Sequence, residues 1–303
     1  TMKVDDINFK FFHINKWDNG EFKGDAISTT SELVKISSDG NLGLEEGQKF
    51  ERGGIYRFTV DVTKGNTKAV LTVEKVGKVD LPAPDIFFGN DKMEVTDTDI
   101  YKSDQAFTQG QMITVTGIDN LNEWWIDPDF FEKQSDGALK FLPINGDYRV
   151  TANAVLKYFS VMALKDGKPA KLQDDGTGAI WAIGKGIGKP SVASSEVGWE
   201  PGKALCLAQV APKKYQLTLK AGETLKTSGD PEVISFKFFH QNDWGGEFGN
   251  YANSILVEQL KLADSGNLEM QDNKAFEEGA VYRFTIDVTN GNANADLKVE
   301  KIN

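Results

Sequence analysis

Apolar and polar residues alternate with a period of two along most of this chain. The pattern is cleanest at Ile55-Tyr56-Arg57-Phe58-Thr59-Val60-Asp61-Val62 and returns over 281–288. Such alternation puts successive side chains on opposite faces of an extended strand, so each segment predicts a strand with one buried face. In the first of them the buried face would carry Phe58, Val60 and Val62, joined by Leu71 and Val73. Residues 69–76 and 295–302 read as closing strands, and Gly-Asn pairs at 40–41, 65–66, 266–267 and 291–292 supply turns. The nearest approach to a helical pattern, residues 254–262 (SILVEQLKL), fits a strand equally well. Short strands with regular turn signals predict an all-β chain of tandem Ig-like antiparallel β-sandwich modules.

The pattern is written twice. FKFFHINKWDNGEF at 9–22 returns as FKFFHQNDWGGEF at 236–248, and GGIYRFTVDVTKGN at 53–66 returns as GAVYRFTIDVTNGN at 279–292. The offset is 227 at Phe9 and Phe236 and 226 at Tyr56 and Tyr282, so the first copy has one extra residue after its Trp. Three regions follow: 1–78, a half-module; 82–176, a spacer entered through the stiff Leu81-Pro82-Ala83-Pro84; and 177–303, a complete module. Some 57 residues, counted from Ala179, precede Phe236 in the complete module, and only eight precede Phe9. Half a sandwich leaves an apolar face and an open edge. The expectation is therefore that about 50–60 further residues lie upstream of Thr1, in three strands of ordinary length, or that another segment or a second copy covers that face.

Composition narrows the partners. A chain of 303 residues that is 40% hydrophobic and 11% aromatic can bury real cores. Its net charge of −11 opposes nucleic acid and anionic lipid. No run approaches the roughly 20 apolar residues of a membrane-spanning helix, and no signal peptide or lipobox is present. The single cysteine, Cys206 in KALCLAQV, is expected to be a buried, inert strand thiol.

Candidate chemistry gathers at the repeated Trp. After the Phe236–Phe239 strand, His240, Gln241, Asn242 and Asp243 enter a loop that ends on Trp244. A flat indole covers the C–H face of a pyranose, and planar amides or charged groups bond vicinal hydroxyls. Trp244 is either such a platform or a Trp at the rim of the core, and the glycines at 245, 246 and 249 fit either role. Phe248 and Tyr251 are secondary aromatic candidates. Trp17, with His13, Asn15 and Lys16 beside it, repeats the arrangement. Trp199 could add a second wall with Lys203 bonding hydroxyls, or fold over the end of the sandwich as a turn residue.

Other motifs read more plainly as structure. Trp181 alternates with Ile183 and reads as core, whereas Trp124 and Trp125 should face opposite sides, one buried and one exposed. Asp127, Asp129 and Asp136 lack the spacing of a calcium loop and read as turn residues. GKGIGKP at 184–190 fails the phosphate-loop spacing and reads as a flexible strand connection. His13 and His240 occupy one repeat position and lack metal-site spacing, and the repeated acids Asp61/Asp287 and Glu74/Glu300 sit in strand patterns. Neither a catalytic residue, a metal nor a cofactor is expected.

The ordered blocks AIWAIG, VGWEPGKAL, YQLTLKAGE, FKFFHQNDWGGEFG and YRFTIDV resemble one glycan-binding module of the SusE and SusF outer-membrane lipoproteins of Bacteroidota starch-utilisation systems. The likeness covers 179–303, and its C-terminal half covers 7–78. FTQGQMITVTGI and WIDPDFF in the middle look like the Ig-like spacer of SusE-type proteins. The resemblance implies a non-catalytic, lipid-anchored, surface-exposed protein of the cell outer membrane. It would hold a polysaccharide or oligosaccharide near a TonB-dependent transporter and its partner lipoprotein. An assembly subunit without sugar affinity is the alternative, and a glycoside hydrolase a distant third.

Overall fold

The structure is a computed structural model that describes residues 7–16, 20–51, 53–79, 83–97, 99–192, 195–227 and 233–303. It is all-β, with no α-helix among the described residues. The chain forms two compact units, 1–83 and 84–303.

The first unit holds strands β1 (Ile27–Thr29), β2 (Val34–Ile36), β3 (Leu42–Leu44), β4 (Gly54–Asp61) and β5 (Ala69–Lys78). β4 and β5 pair antiparallel, β1 joins β5 in parallel, and β2 pairs with β3. The FKFFH segment contributes only bridges, from Phe9 to Leu42 and from Phe12 to Glu21. The core is small: Phe22, Ile27, Val34, Leu42, Ala69 and Leu71 are buried, with Phe9, Phe11, Phe58, Val60 and Val73 only partly covered. Val62, expected on the buried face, is 45% exposed, because β4 is an edge strand and no neighbouring strand among the described residues covers its end.

The second unit opens with a mixed sheet in the middle region, built on β6 (Ile100–Phe107), β7 (Trp125–Ile126), β8 (Gly146–Asn153) and β9 (Tyr158–Lys165). Its order is β7-β9-β8-β6 and then the edge strand Glu94–Asp97. Tyr148, near the start of β8, donates its hydroxyl to the Ile144 carbonyl at 2.9 Å. That is the tyrosine corner of Ig-like sandwiches, in which a strand-entry Tyr ties back to backbone a few residues upstream.

The rest of the unit is a two-sheet sandwich. Its strands are β10 (Trp181–Gly188), β11 (Glu196–Gly198), β12 (Leu205–Cys206), β13 (Ala208–Ala211), β14 (Lys214–Lys220), β15 (Ser235–Phe239), β16 (Asn253–Ile255), β17 (Leu260–Leu262), β18 (Leu268–Met270), β19 (Val281–Asp287) and β20 (Asp296–Lys301). One sheet runs β11-β10-β15-β18-β17, with β12 on β10; the other runs β13-β14-β19-β20-β16. Residues 254–262 thus give strands, not a helix. Phe236 and Phe238 of β15 meet Phe284 of β19 at ring separations of 5.5 and 6.4 Å, which is the interlocking of two inner faces. Cys206 is buried on β12, and burial pushes its thiol up to about 12.

Two readings of the sequence change here. GKGIGK is not a flexible connection: β10 is buried almost throughout. A Cβ on Gly184 would lie 2.3 Å from the Phe236 Cα, so glycine is required there by close strand packing. Asp127 and Asp129 are not merely turn residues. Both accept from the buried Lys189 Nζ at 2.8 Å, and Asp129 also accepts from the Thr218 amide and hydroxyl and the Gln216 amide, each at 2.6 Å. Burial raises the Asp127 carboxyl. Burial also works against Asp129 and Lys189 being charged, but their mutual attraction outweighs it, holding Asp129 below and Lys189 above the ordinary values. This cluster ties the middle region to β10 and β14. Asp136 does act as a turn residue, accepting from the Ala138 amide at 3.0 Å.

Candidate functional site

The Trp244 loop begins where β15 runs out. His240 N donates to the Gly246 carbonyl at 2.6 Å, closing a tight loop over 240–246. Gly245 and Gly246 stand at φ of 80° and 68°, which an L side chain rarely adopts. Inside the loop, the Gln241 side-chain amide donates to the Trp244 carbonyl at 2.6 Å, and Trp244 N donates to Asp243 Oδ1 at 2.8 Å. These bonds fix the loop backbone and lift the indole out of the sandwich.

Trp244 is 52% exposed. Its inner edge rests on the buried Phe239 ring, 6.0 Å away and nearly perpendicular. Trp199, from the turn after β11, lies beside it with ring centroids 6.3 Å apart and planes 24° apart. Trp199 packs partly on the core while keeping part of its face open. Two nearly parallel indoles therefore stand close together, carried by two turns of the same sheet. Lys203 follows Trp199 on the short helical turn Pro201–Lys203 and pairs with Glu200 at 2.8 Å, both side chains exposed. Asn242 is half-buried on the Trp244 loop.

Three expected platform residues go elsewhere. Phe248 and Tyr251 are buried and stack on each other at 5.7 Å. The reason is local: Phe248 N donates to the Phe238 carbonyl at 2.9 Å, which draws the chain after the loop back into the sheet. His240 packs edge-on against Phe248 at 4.3 Å, with Nε2 buried and unpartnered, and burial lowers its pKa. It is a packing residue in this arrangement. Lys237 sits half-buried on β15, opposite in sense to Phe236 and Phe238.

Among the remaining tryptophans, Trp181 is buried and donates Nε1 to the Ala170 carbonyl at 2.9 Å. Trp124 is buried against Phe159, stacked at 4.6 Å. Trp125 is half-exposed and lines a cleft of about 440 Å³ with Gln216, Lys220 and Arg283 of the second sandwich. The sequence alone gives no sign of this cleft: it predicts only that one of Trp124 and Trp125 is exposed, and it does not single out Arg283.

The model for a domain of unknown function, DUF5121, matches residues 1–63 and 175–289, more than half of the chain. The chain belongs to the DUF5121 family. A second model of unknown function, DUF5125, matches residues 79–172, the middle region. No curated protein matches the chain. The two DUF5121 segments hold the two copies of the repeat, and both keep the loop closure: His13 N donates to the Gly20 carbonyl at 2.8 Å, as His240 N does to Gly246. In the first DUF5121 segment His13 and Asn15 are exposed, while Trp17 lies outside the described residues.

Proposed function

We propose that this chain is a non-catalytic glycan-binding protein of the SusE/SusF-like kind, and that the Trp199–Trp244 surface is its sugar platform. The observation that carries this reading is the exposure of Trp244 beside a near-parallel Trp199. Leaving a large indole more than half in water is uncommon in a well-packed sandwich, and paired flat aromatic faces suit the C–H faces of consecutive pyranose rings. Asn242, Glu200 and Lys203 stand on the same two turns and offer groups for hydroxyls. The block order shared with SusE and SusF supports the rest of the proposal: a lipid-anchored place on the outer face of the outer membrane, and capture of a polysaccharide for a TonB-dependent transporter and its partner lipoprotein.

The test is affinity electrophoresis and a glycan array on the intact protein, followed by calorimetry on the best ligand. Trp244→Ala should weaken binding by about 1–3 kcal/mol while leaving the melting temperature nearly unchanged, as for an exposed aromatic anchor. Binding to a neutral glycan should change little between low and high NaCl. If no glycan is retained, the assembly-subunit reading takes its place.

A further inference from the structure

The cleft at Trp125 holds a cation that the fold leaves unused. Arg283 stands on β19 directly across from Glu300 of β20, the same register that sets Arg57 across from Glu74 in the first copy. There the resemblance ends. Arg57 Nη1 reaches Glu74 at 3.2 Å, but Glu300 is taken by Lys298 at 2.6 Å. Arg283 instead lines the cleft, its Nε buried with no hydrogen-bond partner. A buried guanidinium nitrogen without an acceptor is destabilising, and a ligand that supplies the acceptor removes that penalty.

The walls define what would fit. Trp125 gives a half-exposed aromatic side, and Ile126, Pro128 and Val281 make the lining mainly apolar. Lys220, the other cation of the lining, is already neutralised by Glu223. The carboxylate of Asp129, behind Gln216 and Thr218, is committed to Lys189 and to those two residues. One uncommitted positive charge remains in a mainly apolar lining. We infer that the Trp125–Arg283 cleft is a binding site for a monocarboxylate, with the carboxylate paired to the Arg283 guanidinium and the body of the molecule lying on Trp125. The acid could be a uronic acid or an apolar acid, and only the first source would extend the glycan reading.

The experiment is a set of calorimetric and NMR titrations of the intact chain with galacturonate and benzoate, each against its uncharged counterpart, galactose and benzamide. At least one acid should bind, its neutral partner about tenfold more weakly or not at all, since charge-assisted bidentate pairs are the strong ones. Arg283→Gln and Trp125→Ala should each abolish that difference, and Trp244→Ala should leave it intact. Galacturonate binding assigns a sugar acid, and benzoate binding alone assigns an apolar acid. No acid binding at about 10 mM, equal binding of acid and neutral partner, or undiminished binding to Arg283→Gln would each overturn the inference. The acid-against-neutral comparison on the unaltered protein needs no variant to fold. Loss of glycan binding in Trp244→Ala bears on the platform alone, so the two readings fail separately.

Discussion

The two copies of the repeat make the same ladder and a different core. In both, the long hairpin pairs in one register: Phe58 faces Val73 and Val60 faces Leu71 in the first copy, and Phe284 faces Val299 and Ile286 faces Leu297 in the second. The short hairpins agree as well, Val34 with Leu44 and Leu260 with Met270. Gly40 and Gly266 approach equivalent carbonyls, those of Phe22 and Phe248, where a Cβ would fall within 1.9 and 2.5 Å. Yet Phe284, Ile286 and Val288 are fully buried, whereas Phe58 and Val60 are partly covered and Val62 is open. The difference lies in the neighbours. In the second copy β14 pairs along β19 and β10 pairs along β15, completing both sheets. In the first, β4 is an edge strand and the FKFFH segment has no strand partner among the described residues. Local alternation sets register; burial is set by strands far away in sequence.

That contrast can be measured directly. Phe284→Ala should cost about 3–5 kcal/mol, because a fully enclosed ring leaves a cavity that the two sheets cannot close. Phe58→Ala, in a side chain that is already partly hydrated, should cost about 1–2 kcal/mol. Chemical denaturation of each variant, followed by probes in each unit, reads both. Equal costs would mean that the first copy is as well covered as the second.

The hairpins, the turns and the Trp244 loop were all legible in the sequence, because each is a local pattern of two to fourteen residues. The sequence offers Trp199 as a second wall or as a turn residue and does not decide between them, since 45 positions separate it from Trp244 and the strands that bring them together are set by the sandwich. Burial of Phe248 and Tyr251 was missed for the same reason. Alternation names a face, but only the return of the chain to Phe238 shows which face is inside. The glycines of 184–188 misled in the opposite direction, because glycine marks both loose connections and strands packed too closely for a Cβ. The ion cluster was also hidden: Asp127 and Asp129 find Lys189 some 60 residues on.

That cluster offers the next test, since it fastens the strands β10 and β14, which have no counterpart among the described residues of the first copy. Lys189→Met leaves two buried carboxylates facing each other and should cost about 3 kcal/mol or more. The pH dependence follows from the shifts. Lys189 is raised on folding, so its contribution is present below the unfolded lysine value of about 10.4 and is lost as pH climbs through the higher folded value. Asp129 is lowered on folding, so its contribution holds above about 3.9 and is lost as pH falls through the lower folded value. Asp127 is raised and opposes stability wherever it is ionised. Melting of the second unit should thus hold a plateau at neutral pH and fall toward both extremes, and Lys189→Met should shrink the alkaline limb, leaving the part set by the Cys206 thiol and the buried Tyr148, Tyr215 and Tyr251 hydroxyls, all raised by burial. An unchanged alkaline limb in the variant would assign that limb to other groups.

The smallest effect is expected at a register position where the copies differ in their ion pairing. Arg57 and Glu74 meet at 3.2 Å with side chains 63% and 53% exposed. Water and salt screen such a pair, and ordering two long side chains offsets most of what remains. Arg57→Gln should therefore change stability by no more than about 0.5 kcal/mol, and by less in high salt. Arg283→Gln should be similarly mild, because the residue has no carboxylate partner to lose; its removal relieves an unpartnered Nε but gives up the packing of its stem. A cost above about 1 kcal/mol at Arg57 would mean that the pair is shielded from solvent, which requires that something covers the outer face of β4 and β5 in solution. Measured at two salt concentrations, this variant therefore reports whether the polar outer face of β4 and β5, opposite Phe58 and Val60, stays in water.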